Sequence, residues 1–104
     1  LRHPKMNIFP IQRFTVFGNS MLPTLKPGQD VLCFNWAYIF SKPKIGDIVV
    51  VRVNGRDDVV KRIHKADDRL IYVYGDNEKA STDSRNFGPI KASEIIGKVV
   101  FIVR

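Results

Sequence analysis

Ile48-Val49-Val50-Val51-Arg52-Val53-Asn54-Gly55-Arg56-Asp57-Asp58-Val59-Val60-Lys61-Arg62-Ile63 reads as two strands folded back on one another. Asn-Gly between two β-rich runs is a strong short-range signal for a tight hairpin, because both residues accept positive φ. The predicted strands run from Asp47 to Val53 and from Asp58 to Ile63. Successive side chains of a strand point to opposite faces, so Val59, Lys61 and Ile63 share one face while Val60 and Arg62 take the other. Lys61 thereby acquires apolar neighbours. Desolvation disfavours an ammonium and lowers its pKa, by up to about 3–5 units for a fully buried group, from a reference value of about 10.4. A lysine on a solvated edge strand is the commoner fate of this residue type, so the reading needs a partner elsewhere in the chain.

Outward from the hairpin, β-rich runs recur near Phe14 to Phe17, Asp30 to Phe34, Leu70 to Tyr74 and Lys98 to Val103. Ala92-Ser93-Glu94-Ile95-Ile96 suggests one helical turn before Gly97. The expected fold is mainly β: a single compact, partly rolled antiparallel domain with at most short helical turns. A chain of 104 residues is one domain on length, and a domain of this size buries about 60–70% of its unfolded surface. With 44% hydrophobic residues and no low-complexity run, a packed core is expected and disorder is confined to the ends. The predicted division is an N-terminal extension, 1–13, and a folded domain, 14–104, which the readings below make a membrane-proximal extension and a Ser-Lys peptidase catalytic domain.

The partner for Lys61 is Ser20, in Gly18-Asn19-Ser20-Met21-Leu22-Pro23-Thr24-Leu25. A serine hydroxyl is a weak nucleophile until a neighbouring base takes its proton, and a lysine becomes that base when its amine is neutral. A Ser-His-Asp arrangement is less well served. His3 sits near the chain start and His64 falls on the face opposite Lys61, although a β-bulge would flip that face. Cys33, in Val31-Leu32-Cys33-Phe34, reads as a packed small hydrophobe, and one cysteine cannot form an internal disulfide. Two histidines and one cysteine give no zinc spacing, and Asp76-Asn77-Glu78-Lys79-Ala80-Ser81 lacks the glycine a calcium loop needs at its sixth position. No metal and no cofactor are expected.

Four blocks in order resemble the signal peptidase I family of Ser-Lys endopeptidases. They are Ser20 to Leu25 followed by Gly28; Gly46-Asp47-Ile48-Val49-Val50; Lys61-Arg62-Ile63; and Gly75-Asp76-Asn77 through Ser81-Thr82-Asp83-Ser84-Arg85 to Gly88-Pro89-Ile90. The resemblance implies Ser20 as nucleophile, Lys61 as general base and later general acid, and Ser81 as a hydroxyl that helps hold the amine. It implies Asp83, Arg85 and Asp76 as support. An arginine fork on Asp76 or Asp83 would tie the loop after Gly75 to the base strand. The backbone N–H of Ser20 is the expected oxyanion donor. The region of Gly18 departs from the larger Gram-negative members, which carry a hydroxyl residue two positions before the nucleophile. The short span from Arg62 to Tyr74 leaves no room for the extra β domain of many bacterial members. The compact form is similar to the small maturation proteases of nickel-type superoxide dismutase, while mitochondrial inner-membrane proteases are also short, and the motifs do not separate these subfamilies.

The implied function is removal of an N-terminal leader or signal peptide, bound extended beside a strand edge with small residues before the cut, as in Ala-x-Ala sites. A self-cleaving repressor of the SOS type would need its own Ala-Gly or Cys-Gly target, which this sequence lacks. An inactive peptide-binding module on the same fold is the alternative from another class. The formal charge of +7, from 17 Lys and Arg against 10 Asp and Glu, favours anionic partners. With no basic run beyond two residues and no aromatic-rich motif, nucleic acid is not expected, and an anionic membrane surface is. A spanning helix needs about 20 mainly apolar residues, and Leu1 to Phe17 is broken by Arg2, Lys5, Pro10 and Arg13. Either the form is truncated or soluble, or Ile8-Phe9-Pro10-Ile11 and Trp36-Ala37-Tyr38-Ile39-Phe40 touch a bilayer. The second segment is the more readily explained by packing. Peripheral membrane association is the expected location, with the cytoplasm as the alternative.

Overall fold

The computed structural model describes residues 9–103. Six antiparallel strands form one sheet: β1 (Ile11–Thr15), β2 (Asp30–Phe34), β3 (Ile48–Val53), β4 (Asp57–Ala66), β5 (Ile71–Tyr74) and β6 (Ile95–Val103), in the spatial order β1-β2-β6-β3-β4-β5. Two helices, α1 (Ala37–Phe40) and α2 (Ser84–Phe87), are single turns. The expectation of a mainly antiparallel β domain with short helical turns is met.

The decisive hairpin forms as read. Asn54 and Gly55 take φ of 56° and 71°, and Arg56 N–H closes the turn on Val53 O at 3.1 Å. The loop is three residues, Asn54 to Arg56, one fewer than the predicted bounds leave, so β4 begins at Asp57, one position before the predicted start. In register, Val49 faces Lys61 and Val51 faces Val59. Burial alternates along β4, with Lys61 and Ile63 buried, Val60 and Arg62 half-buried and His64 exposed. Both faces of β3 are covered, since Val49, Val50 and Val51 are all fully buried. One face joins Ile63, Ile71, Val73 and Ile90. On the other, Ile48 and Val60 pack against Val16, Met21, Leu25 and Val31. Burying a Val, Leu or Ile side chain is favourable by about 1.5–3 kcal/mol, so the hairpin is the beam on which both clusters rest.

Elsewhere the boundaries move for identifiable reasons. The first strand covers Ile11–Thr15 rather than Phe14 to Phe17, because regular pairing with β2 ends just past Thr15, at an irregular last rung. Val16 N–H bonds Gln29 O at 2.8 Å and Gly28 N–H bonds Val16 O at 2.7 Å, and Gly18 turns at φ 73°. The helical turn before Gly97 is a 3-10 turn over Ala92–Glu94 only, with Ile95 already in β6. Ala37 is buried and Tyr38 packs on the core beside its hydroxyl bond to Asp47 Oδ2 at 2.6 Å, while Ile39 and Phe40 stand in solvent. The packed reading of the Trp36 segment therefore holds for its first half. Among the described residues no helix is long and apolar enough to cross a membrane. Ile8, in the other segment considered for bilayer contact, lies outside the described residues, as does most of the 1–13 extension.

Candidate active site

Lys61 reaches the site from the middle of β4 because strand alternation turns it inward, and it retains only 4% of its exposure. Its Nζ donates to Ser81 Oγ at 3.0 Å. The Ser81 hydroxyl in turn donates to Asp83 Oδ2 at 2.5 Å. A hydroxyl has a single proton, so Ser81 faces the amine as an acceptor and the amine must be the donor. With a neutral amine, the nitrogen lone pair is then free to point elsewhere. Burial pushes the Lys61 pKa down; the Asp83 charge opposes this and the Arg85 charge adds to it, leaving the amine below its ordinary value.

Asp83 is fully buried and sits at the N-terminus of α2, where its side chain and Asn86 form a reciprocal capping box. Five donors converge on its carboxylate. Oδ2 accepts from Ser81 Oγ, from Gly75 N–H at 2.8 Å and from Arg85 Nη2 at 2.6 Å; Oδ1 accepts from Arg85 Nε at 3.0 Å and from the Arg85 N–H at 3.1 Å. Burial alone would raise this pKa. The bonds from Arg85, Ser81 and Gly75 outweigh it and hold the carboxyl well below the usual range. Arg85 is itself steadied by lying 4.3 Å from the centre of the Tyr74 ring, a cation–π arrangement.

Ser20 arrives on the turn between β1 and β2 and is pinned from behind. Its carbonyl accepts from Asn77 N–H at 2.8 Å. Gly75 permits this approach, since a Cβ there would overlap the Ser81 side chain and come within 2.7 Å of Ser20 O. The Ser20 turn and the Ser81 hydroxyl therefore converge on one spot that only a glycine leaves open. Ser20 and Lys61 together line a cleft of about 100 Å³ with Thr15, Val16, Phe17, Met21, Asp58, Val59 and Val60. Among the described residues the Ser20 hydroxyl makes no hydrogen bond to the amine. Catalytic hydrogen bonds are often long before substrate arrives.

A second network ties the same parts from the other face of β4. Arg62 forks onto Asp76 through Nε and Nη2, both at 2.9 Å, and donates from Nη1 to Gly46 O at 2.8 Å. Thr24 Oγ1 donates to Asp76 Oδ2 at 2.5 Å. The bonds from Arg62 are the main cause of a lowered Asp76 pKa. Where the sequence predicts an arginine fork on Asp76 or Asp83, the structure has one on each, Arg85 on Asp83 with the carboxylate buried and Arg62 on Asp76 half-buried. Thr24 and Asn77, which bind the serine turn to the Gly75 loop, went unread as contacts. The signal, a hydroxyl four residues after Ser20 and an amide two after Gly75, gains meaning only when the turns meet in space.

The rejected candidates stay apart. His64 is exposed and stacks on Tyr74 with ring centres 4.1 Å apart. The bulge weighed for this position exists, a register shift between Ile63 and Lys65, yet it leaves His64 and Lys65 both in solvent. His3 lies outside the described residues. Cys33 is fully buried, and burial pushes its thiol up to about 12, so it offers no thiolate.

A family model described as Peptidase S24-like matches residues 12–100. The mitochondrial ATP-independent inner membrane protease subunit 1a of Arabidopsis thaliana is 38% identical, over 85% of this chain and 67% of its own length. Signal peptidase I of Bacillus caldolyticus is 26% identical, over 92% and 81%. Signal peptidase IB of Staphylococcus aureus is 27% identical, over 89% and 78%. The narrower likeness to superoxide dismutase maturation proteases receives no support from these relatives.

Proposed function

This chain belongs to the Peptidase S24-like family and is a serine endopeptidase of the signal peptidase I type, and we propose that its reaction runs through Ser20 as nucleophile and Lys61 as base. What supports these roles is the buried amine, held by Ser81 and Asp83 in the cleft that Ser20 also lines. Ser20 Oγ attacks the carbonyl carbon at the leader junction and its proton passes to neutral Lys61 Nζ. The tetrahedral oxyanion faces the Ser20 N–H, a preorganised donor where charge develops. Collapse expels the leaving amine, which takes the proton from Lys61. Water, giving its proton to Lys61 Nζ, then attacks the acyl carbonyl, and Lys61 returns that proton to Ser20 Oγ as the leader leaves with a free carboxylate.

The small cleft volume favours small side chains at the cut. The substrate reading, an extended leader or signal peptide of a precursor, draws on the names of the relatives. Burial lowers the Lys61 pKa, so the base form becomes populated below the ordinary lysine range. We expect kcat/KM to rise on a single alkaline limb with an apparent pKa below about 10.4. A profile that falls from acid to neutral pH would remove Lys61 from the role.

Location is proposed as peripheral on an anionic membrane. Phe17 is 84% exposed, and Phe9, Ile11, Val100 and Phe101 also stand in solvent, on a chain of net charge +7. Co-sedimentation with phosphatidylglycerol vesicles is expected at low salt and should weaken as salt is raised. Absence of binding at low salt would favour the cytoplasmic alternative.

A further inference from the structure

Asn77 donates twice to the nucleophile turn: its backbone N–H to Ser20 O at 2.8 Å and its side-chain Nδ2 to Asn19 O at 3.0 Å. The Asn19 carbonyl also accepts from Leu22 N–H at 3.2 Å. The usual reasons for an asparagine in a loop do not apply here. Its φ is −99°, outside the left-handed region that Asn tolerates well, and its side chain makes no capping bond to the 3-10 turn Glu78–Ala80 that follows. The amide group is spent on Asn19.

That contact has a geometric consequence for the next N–H. In a planar trans peptide the C=O and N–H point in opposite directions, and the cis bond in this region is Leu22-Pro23, not Asn19-Ser20. Anchoring the Asn19 carbonyl on Asn77 turns the Ser20 N–H away from the Gly75 loop. Anchoring the Ser20 carbonyl on the Asn77 backbone does the same for the Met21 N–H. Neither N–H donates to an acceptor among the described residues, and Ser20 and Met21 both line the cleft shared with Lys61.

We propose that Asn77 is a positioning residue that aims the Ser20 N–H at the oxyanion of the tetrahedral intermediate. The carbonyl of Asn19 is its handle. This inference rests on Ser20 being the nucleophile. It also accounts for the absence of a side-chain donor at Gly18: a turn whose carbonyls are clamped from behind needs no hydroxyl to fix the direction of its amide.

The test compares Asn77→Ala, Asn77→Asp and Asn77→Gln with the unaltered protein. Asn77→Asp keeps the size and the backbone bond but replaces the amide donor with an acceptor. For Ala and Asp, kcat should fall by up to about 100-fold, the lower edge of the roughly 10²–10³-fold loss found when an oxyanion donor is removed outright, while KM changes little. Affinity for a peptidyl boronate, whose tetrahedral adduct carries the charged oxygen, should weaken in step, and affinity for the product peptide should not. Asn77→Gln, which can still donate, should recover part of the loss. In the uncharged variants Asn77→Ala and Asn77→Gln the alkaline limb should stay where it is, because Asn77 does not touch Lys61. Unchanged boronate affinity, a loss confined to KM, a shifted limb in Asn77→Ala or Asn77→Gln, or failure of both Ala and Asp variants to fold would each overturn the proposal. Turnover in Ser20→Ala would instead sink the underlying reading.

Discussion

Lys61→Arg and Lys61→Met are both expected to lose turnover, with kcat/KM down by at least about 10³-fold, as for loss of a nucleophile or its base in other serine proteases. Ser20→Ala should match them, and combining the changes should add little, because residues that act as one unit are not additive. Arginine keeps the positive charge and the reach, but a guanidinium does not deprotonate in proteins, so it cannot accept the Ser20 proton. Methionine keeps the volume without a nitrogen. Substantial cleavage by Lys61→Arg in a leader-peptide assay would end the Ser-Lys reading. Lys61→Met carries a second expectation, in stability. The folded-state pKa of Lys61 is lowered, so between that value and the unfolded one the unfolded chain binds more protons, and stability climbs with pH across that window. Below it, the buried ammonium is a cost that methionine does not carry. Denaturant titrations should therefore show the unaltered protein gaining on Lys61→Met as pH is raised.

Asp83→Ala should cost stability toward the lower end of about 3–5 kcal/mol, the range for breaking a buried ion pair. The lower end applies because Arg85 keeps some solvent contact and can rehydrate, whereas the N–H of Gly75 and the Ser81 hydroxyl lose their acceptor. An unfolding midpoint in urea equal to that of the unaltered protein would contradict this account. Asp83→Asn isolates the chemistry. With the carboxylate gone, the Ser81 proton is no longer drawn away from the amine, and Ser81 can donate to the nitrogen lone pair that Ser20 needs. Turnover should fall even where the protein stays folded. Asp83 raises the Lys61 pKa by its charge, so any residual activity should have its alkaline limb at lower pH than before. A limb displaced upward would show that Asp83 acts on Lys61 in some other way.

What was legible in the sequence was local. Asn54-Gly55 and the alternation from Val59 to Ile63 depend on neighbours a few residues away, and they placed the hairpin and the inward face of Lys61 correctly. The limits of β1 and β6 were not legible, since they are set by where pairing stops past Val16 and Gln29 and where Ile95 meets Val51. Both are contacts between distant segments. The same holds for the site. Ser20, Lys61, Ser81, Asp83, Arg85 and Asp76 could be nominated by resemblance, but Thr24 on Asp76 and Asn77 on Asn19 join turns that only the closed sheet brings together. Single-turn α2 was missed for a related reason: four residues carry no helical period, and its start is fixed by the capping of Asp83, which also faces Lys61.

The drying of Lys61 has a consequence for when this protein becomes dangerous to others. Val59 and Ile63 flank Lys61 on its own strand, but the groups that enclose and hold its amine, Ser81, Asp83 and the serine turn, come from far along the chain. A nascent or half-folded chain would keep this lysine hydrated, protonated and inert. Proteolytic competence is thus withheld until the last long-range contacts close, so that completion of the tertiary structure is itself the safety catch.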